Sequence, residues 1–441
     1  MTGTAAVNEG FHMTELGLVP CDWEVVKLGD VAYFETGRRM KGGALENGEI
    51  LSLGGEHIAN AGSIDLSKPK FISKDFYDGL GKGKLQNDDV IICKDGARTG
   101  KVAYIKFIHG QYMAVNEHVF IVRSKNDRVL CNQFIYYFLF SALGQSQVRE
   151  AYHGLIGGIT NSNISNFKIL LPSIPEQKKI AYVLSAVQEA KEKTEVVIRA
   201  TRELKKSLMK HLFTYGPVSI AEAENVPLKE TEIGMVPEGW ELVRLGEVVT
   251  FSSKPRDLNL SAHDKVPFVP MEYIPDERTD INRYQMKKPG EIGSGTFFFK
   301  GDLLVAKITP SFENGKQCIA NNLPSDFAYA TTEVWPLHET NRADLLYLFY
   351  YLKRKEVRAN IAGKMEGSTG RQRVPRRVLQ SLYVPLPPLP IQKQITHIPS
   401  LVDGKIEPEE NKKQALEALF KTLLTRFMTG KIRVSSLEVP V

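Results

Sequence analysis

The sequence predicts an α+β fold: two similar domains, each a mixed sheet with helices and each closed by a long coiled-coil helix, in a pseudo-two-fold internal repeat that places the domains at opposite ends if the two helices run antiparallel. Three observations predict it. A chain of 441 residues exceeds one ordinary core, since a domain usually holds about 150 residues. Blocks of sequence recur about 215 residues apart, and self-similarity of that kind sets the architecture before any local reading. Each copy then closes with apolar residues at alternating steps of three and four, the spacing of a coiled-coil seam.

The repeat is explicit. Thr14-Glu15-Leu16-Gly17-Leu18-Val19-Pro20, followed by Trp23-Glu24-Val25-Val26-Lys27-Leu28-Gly29, returns as Thr231-Glu232-Ile233-Gly234-Met235-Val236-Pro237, followed by Trp240-Glu241-Leu242-Val243-Arg244-Leu245-Gly246. Asp89-Val90-Ile91-Ile92-Cys93-Lys94 matches Asp302-Leu303-Leu304-Val305-Ala306-Lys307, an apolar run of strand length after a turn signal. The aromatic helix at Phe134-Ile135-Tyr136-Tyr137 pairs with Phe349-Tyr350-Tyr351-Leu352, and Pro172-Ser173-Ile174-Pro175-Glu176-Gln177 with Pro387-Pro388-Leu389-Pro390-Ile391-Gln392. The offset drifts between these blocks, so insertions lie in loops, where one scaffold acquires two binding surfaces.

The first seam reads Ile180, Val183, Val187, Ala190, Thr194, Val197, Thr201, Leu204 and Leu208. The second places Ile395, Ile398, Val402, Lys405, Glu409, Lys412, Leu416, Leu419 and Leu423 at the same positions, with Pro399, Gly404 and Pro408 among them. Proline removes a helical hydrogen bond and crowds the preceding turn, so a kink or break is expected near Gly404 to Pro408.

Composition narrows the function classes. Apolar content of 42% with 24% charged residues is ordinary for a globular chain. The longest apolar stretch, Phe134 to Leu143, is shorter than the roughly 20 residues of a membrane span, and no secretory signal opens the chain. The expectation is a cytoplasmic protein without membrane contact. Cys21, Cys93, Cys131 and Cys318 have no partners at ligand spacing, so no metal site is expected. No base-holding Asn/Asp-Pro-Pro-Tyr/Phe motif is present, and no nucleophile–His arrangement stands out. Gly290 to Thr296 lacks the flanking strand and helix of a cofactor loop, and Gly96 to Lys101 is too short for a phosphate-cradling loop. Both read as turns, no catalytic residue is assigned, and no cofactor is expected in this chain.

A net charge of +6 permits a polyanionic partner. Basic residues cluster in loops of both halves: Arg38, Arg39 and Lys41; Lys94, Arg98 and Lys101; Arg256 and Lys307; and Lys364, Arg371, Arg373, Arg376 and Arg377. Lysines neutralise phosphates, while arginines can also present a fork to guanine. These are the candidate DNA-binding residues.

Taken in order, the twin Gly-x-Val-Pro-x-x-Trp-Glu-x-Val-x-Leu-Gly openings at Gly17 and Gly234, the twin Pro-x-x-Pro-x-Gln helix starts at Pro172 and Pro387, and the helix endings Leu208 to Thr214 and Leu423 to Lys431 resemble the specificity subunit of type I restriction-modification systems over almost the whole length. The resemblance implies a flexible tail over 1–13, a target-recognition domain over 14–172, a conserved helix over 173–216, a linker over 217–230, a second target-recognition domain over 231–387, a C-terminal helix over 388–431 and a tail over 432–441. It implies that the two domains are held apart by the two long helices, packed as an antiparallel coiled coil, and that each domain reads one half of a bipartite site in double-stranded DNA. It also implies two modification subunits that bring S-adenosylmethionine, and restriction subunits that use ATP and Mg. The alternatives are a solitary DNA-recognition subunit and a coiled-coil adaptor without an active partner.

Overall fold

The computed structural model describes residues 10–106, 112–152, 157–368 and 370–434. The chain divides into two compact units, the first Met1–Lys193 with Lys413–Val441, the second Thr194–Lys412.

Each unit is built on the same sheet. In unit 1 the strands Ala32–Thr36, Val119–Ser124, Val90–Cys93 and Val102–Tyr104 lie side by side in that order, all antiparallel. In unit 2 Val249–Phe251, Val334–Glu339, Leu303–Ala306 and Gln317–Ile319 repeat the order. The duplicated runs Val90–Cys93 and Leu303–Ala306 are therefore central strands, buried along their whole length, as continuous apolar runs require when both faces are covered. A second, mixed sheet in each unit contains one parallel pair, Ile50–Leu53 with Met113–Val115 and Val266–Val269 with Phe327–Ala330.

The polar residue that opens each central strand is buried. Asp89 binds Arg123 through both its oxygens, and Arg123 also pairs with Glu35 at 2.7 Å. At the equivalent place Asp302 accepts from Ser252 at 2.5 Å and lies 2.6 Å from His338 Nδ1. Burial pushes both aspartate carboxyls above the usual carboxylate range, against the opposing hydrogen bonds.

The twin openings are hairpins, Phe11–Thr14 with Gly17–Pro20 and Leu228–Thr231 with Gly234–Pro237. Gly17 and Gly234 sit at φ of 97° and 100°, which a side chain strains. The threonine hydroxyls of Thr14 and Thr231 donate to their carbonyls at 2.9 and 2.6 Å. The first strands of these hairpins, Phe11–Thr14 and Leu228–Thr231, replace the described end of the flexible tail expected over 1–13 and the end of the linker expected over 217–230. Residues 1–9 lie outside the described residues.

The Pro-x-x-Pro-x-Gln motif has a structural cause. Gln177 is fully buried; its amide donates to the carbonyls of Pro172 and Val129, both at 2.9 Å, and its oxygen accepts from the Cys131 N–H at 2.9 Å. Gln392 repeats this with Pro387 at 2.8 Å, Arg342 at 3.1 Å and the Asp344 N–H at 2.8 Å. Each glutamine ties the start of a long helix to the start of an aromatic helix, Asn132–Phe140 or Leu345–Lys353. Buried backbone groups need such partners. These bonds align Cys131 with Asp344, so Tyr136-Tyr137 corresponds to Phe349-Tyr350, two residues from the sequence match of Phe134 with Phe349. Rings agree: Tyr137 lies 6.2 Å from Phe420, and Tyr350 lies 5.1 Å under the Lys205 ammonium.

The long helices are Ile174–Tyr215 and Leu389–Met428, and each unit contains a part of both. In unit 2, Arg202 pairs with Glu410 and Lys205 with Asp403 at 2.7 and 2.6 Å, so the two segments run antiparallel. In unit 1, Ile180, Ala181 and Leu184 share a core with Leu424, Phe427 and Met428. The second helix continues through Pro399 and Pro408, so the break expected near Gly404 to Pro408 is absent. Proline costs one hydrogen bond and a local clash, and here packing outweighs that: Pro399 and the neighbouring Val402 and Ile406 are buried.

The seam itself is corrected at alternate positions. Val197, Leu204 and Leu419 are 47%, 54% and 45% exposed. The inward stripe is Ile180, Leu184, Val187, Lys191, Thr194, Ile198, Thr201, Lys205, Met209 and Leu212, all buried or half-buried. Adding 215 to each number gives Ile395, Pro399, Val402, Ile406, Glu409, Lys413, Leu416, Phe420, Leu424 and Phe427, again all buried or half-buried. Val183, Leu208, Ile398 and Leu423 flank the stripe, half-buried.

The expected tail over 432–441 is packed where it is described. Arg433 donates to Glu176 at 2.7 and 2.8 Å and to Asp22 at 2.9 and 2.6 Å. The same Glu176 carboxylate accepts the Trp23 indole N–H at 3.2 Å. The Arg433 guanidinium holds the Asp22 carboxyl below its ordinary range, and Val434 is fully buried.

Candidate nucleic-acid interface

Each central strand ends in a lysine held in one backbone frame. The Lys307 N–H donates to the Glu333 carbonyl at 2.9 Å, and its own carbonyl accepts from the Val374 N–H at 2.7 Å. In unit 1 Lys94 donates to the His118 carbonyl at 2.9 Å and accepts from the Ile159 N–H at 2.7 Å. Lys94 and Lys307 thus occupy one structural place, and each ammonium stands over an aromatic ring, Phe120 at 5.9 Å and Trp335 at 4.1 Å. A cation over a ring face is attracted by the ring quadrupole. Burial lowers the pKa of Lys307, against the nearby Glu333 carboxylate.

Around this frame unit 2 assembles a continuous patch. The Trp335 indole N–H donates to the Val374 carbonyl at 2.9 Å, and Phe251 meets Trp335 edge-on at 5.7 Å. The Arg376 guanidinium lies 4.2 Å over Phe251. Arg373 forks onto both Glu333 oxygens at 3.0 and 2.8 Å, and its guanidinium holds Glu333 below the usual carboxylate range. Arg377 pairs with Glu366, and Lys364 and Arg371 are exposed in the same segment. The structure therefore brings Lys307, Arg373 and Arg376 together. Arg256 is exposed in the turn after Phe251.

Unit 1 dresses the frame differently. Lys94 lies 3.9 Å from Asp95, whose carboxylate is 2.6 Å from His118 Nδ1. Arg39 is exposed and 3.9 Å from Glu117, and Arg38 and Lys41 are exposed in the same loop. Arg98 is committed to the fold, because its guanidinium donates to the carbonyls of Glu56 at 2.8 Å and Ile58 at 3.3 Å. Lys101 is half-buried at the end of the turn joining two strands, so Gly96 to Lys101 is the loop the sequence predicts.

Sequence reasoning missed Phe120, Trp335, Phe251 and Glu333. A signal existed for the first pair, since Phe120 and Trp335 stand 215 residues apart, within the drift of the repeat offset.

A cavity of about 1220 Å³ in unit 2 is lined by ten basic and eleven acidic side chains, which gives it no positive excess. Among the described residues no group of three metal-ligating side chains occurs, and no helix is long and apolar enough to cross a membrane. The four cysteines are unbridged, and burial pushes the Cys93 thiol up to about 11.

The family model described as the type I restriction modification DNA specificity domain matches residues 20–198 and again 237–418. The chain belongs to that family. It carries the DNA specificity domain twice, in tandem. Among similar proteins of this type I specificity family, the MjaVIII specificity subunit of Methanocaldococcus jannaschii is 24% identical over 95% of both chains. The EcoEI specificity subunit of Escherichia coli is 31% identical over 51% of this chain and 35% of its own. The crystal structure of the type I restriction-modification S subunit from M. genitalium shares the fold, with a TM-score of 0.61 at 15% identity over 97% of this chain and 99% of the other.

Proposed function

We propose that this type I specificity chain is a non-catalytic reader of double-stranded DNA, in which each domain recognises one half of a bipartite site and the two long helices set the spacer and dock the modification subunits. The observation that carries this reading is the recurrence of one lysine-and-aromatic frame, at Lys94 with Phe120 and Lys307 with Trp335, surrounded by different loop chemistry in each unit. A shared frame with divergent surroundings is what two readers of different half-sites need. Cationic side chains neutralise phosphates, and the polar groups between them select bases.

The partners under this reading are two modification subunits carrying S-adenosylmethionine and restriction subunits carrying ATP and Mg, all in the cytoplasm with the DNA. The duplicated helix starts at Gln177 and Gln392 support two equivalent docking surfaces. Mass measurement of the assembled complex is expected to give two modification subunits per chain; a complex that saturates at one counts against it. Methylome sequencing of a host with and without the gene tests the whole reading, the expected result being a two-part motif that appears only with the gene.

The loop at Gly96 to Lys101 divides its roles. Lys101→Ala is expected to reduce the slope of log affinity against log salt by about one, the effect of one lost phosphate contact. Arg98→Ala is expected to lower thermal stability as well, because Glu56 and Ile58 lose their donor. Equilibrium binding across salt concentrations checks the first, and an unchanged slope removes Lys101 from the interface.

A further inference from the structure

Arg373 is the most constrained cation of the unit 2 patch. Its main chain is pinned on both sides: its N–H donates to the Glu366 carbonyl at 2.8 Å, and its carbonyl accepts from the Glu366 N–H at 2.9 Å. The neighbouring carbonyl of Gln372 accepts from the Thr309 N–H at 3.0 Å, and the Val374 N–H donates to Lys307 at 2.7 Å. Its side chain is pinned too, with Nε and Nη2 on the two Glu333 oxygens. Guanidinium has five N–H donors in a rigid plane, and this side-on grip uses two. One hydrogen on each of Nη1 and Nη2 forms a second, end-on fork, on a side chain that remains 57% exposed.

We infer that Arg373 reads a guanine in the half-site of the second domain, with Glu333 as its positioning residue. Guanine offers two coplanar acceptors, O6 and N7, in the major groove, and a bidentate arginine matches them. The inference rests on the reading of this chain as a DNA reader. Electrostatics favours a base over a phosphate: Glu333 neutralises most of the Arg373 charge, so the pair has little net pull on an anion but keeps its direction. Lys307 over Trp335 and Arg376 over Phe251 remain to meet the phosphates on either side. A side chain held in place before binding loses less rotamer freedom when it binds.

Among the described residues the first domain has no counterpart at this place. Gly158 pairs with Asp95 there in the bridge that Arg373 makes with Ile308 in unit 2, and a glycine presents no side chain. The guanine contact therefore belongs to one half-site only.

The test is methylome sequencing of a host expressing the full chain with its modification subunits, as wild type, Arg373→Ala, Arg373→Lys and Glu333→Gln. Arg373→Ala is expected to relax one guanine position in one half-site, with discrimination falling about 5- to 150-fold, while the other half-site is unchanged. Arg373→Lys keeps the charge and removes the fork, so it is expected to relax the same position; it decides the matter if the alanine variant accumulates poorly. Glu333→Gln is expected to relax that position less. A motif unchanged in both Arg373 variants overturns the inference, as does a uniform loss at every position with a salt slope reduced by one, which marks a phosphate contact. A wild-type chain that yields no two-part motif overturns instead the reading on which the inference rests.

Discussion

Replacing residues 17–171 with the matching region of a relative is expected to rewrite one half of the methylated motif and leave the other half unaltered. The physical ground is that each unit has its own sheet, its own core and its own loop set, so base contacts on one do not pass through the other. The effect is large, because specific sites are bound about 10³ to 10⁷ times more tightly than random sequence. The exchange has to respect contacts made by chain outside it. Trp23 donates to Glu176, Asp22 pairs with Arg433, and Tyr137 packs on Phe420, so a donor that keeps those three side chains is expected to fold. Methylome sequencing of the chimera is the check. A change in both halves together would show that the domains do not read independently.

Gln392→Ala is expected to cost unit 2 about 3 kcal/mol or more. The amide makes three hydrogen bonds in a fully buried place, and each buried partner left unpaired costs about 1–3 kcal/mol. A void adds to the loss. For a unit of this size about 1 kcal/mol lowers the melting temperature by roughly 2–4 °C, so a fall of about 6–12 °C is expected in the unit 2 transition. Gln177→Ala is expected to do the same to unit 1. Gln392→Glu removes both donors and buries a carboxylate against two carbonyls, so it is expected to be at least as damaging. Calorimetry of the three variants tests this; a shift below about 1 °C in both alanine variants would mean that the motif serves docking rather than folding.

Those glutamines also show what the sequence made legible and what it did not. The duplicated motifs marked both helix starts and the central strands because each performs the same local task twice, as Gln177 and Gln392 do in clamping a helix; the openings at Gly17 and Gly234 were legible as a repeat but not as hairpins, whose first strands fall in the expected tail and linker. The seam was half legible. Ile180, Val187, Thr194 and Thr201 stand in both the expected and the observed stripe, but Val183–Leu184, Val197–Ile198 and Leu208–Met209 each offer two adjacent apolar residues. Hydrophobicity alone cannot choose between such neighbours. The true stripe also includes Lys191 and Lys205, which a search for apolar residues passes over; Lys205 earns its place by pairing with Asp403. The basic clusters were the least legible, because a side chain's partners lie far away in sequence. Arg98 uses its guanidinium on carbonyls some 40 residues back, whereas Arg373 meets Glu333 and Arg376 meets Phe251 only through the sheet.

The packing of Leu424, Phe427, Arg433 and Val434 into unit 1 has a consequence for how the protein is made. Unit 2 is one unbroken stretch of chain and has all of its residues once Lys412 leaves the ribosome. Unit 1 begins first, yet Glu176 has no Arg433 and the Trp23 side of its core stays open until the last turns of the second helix and the residues that follow it, as far as Val434, are synthesised. The domain translated first is therefore the one completed last, and during that interval its uncovered apolar face is what a chaperone or a protease would meet.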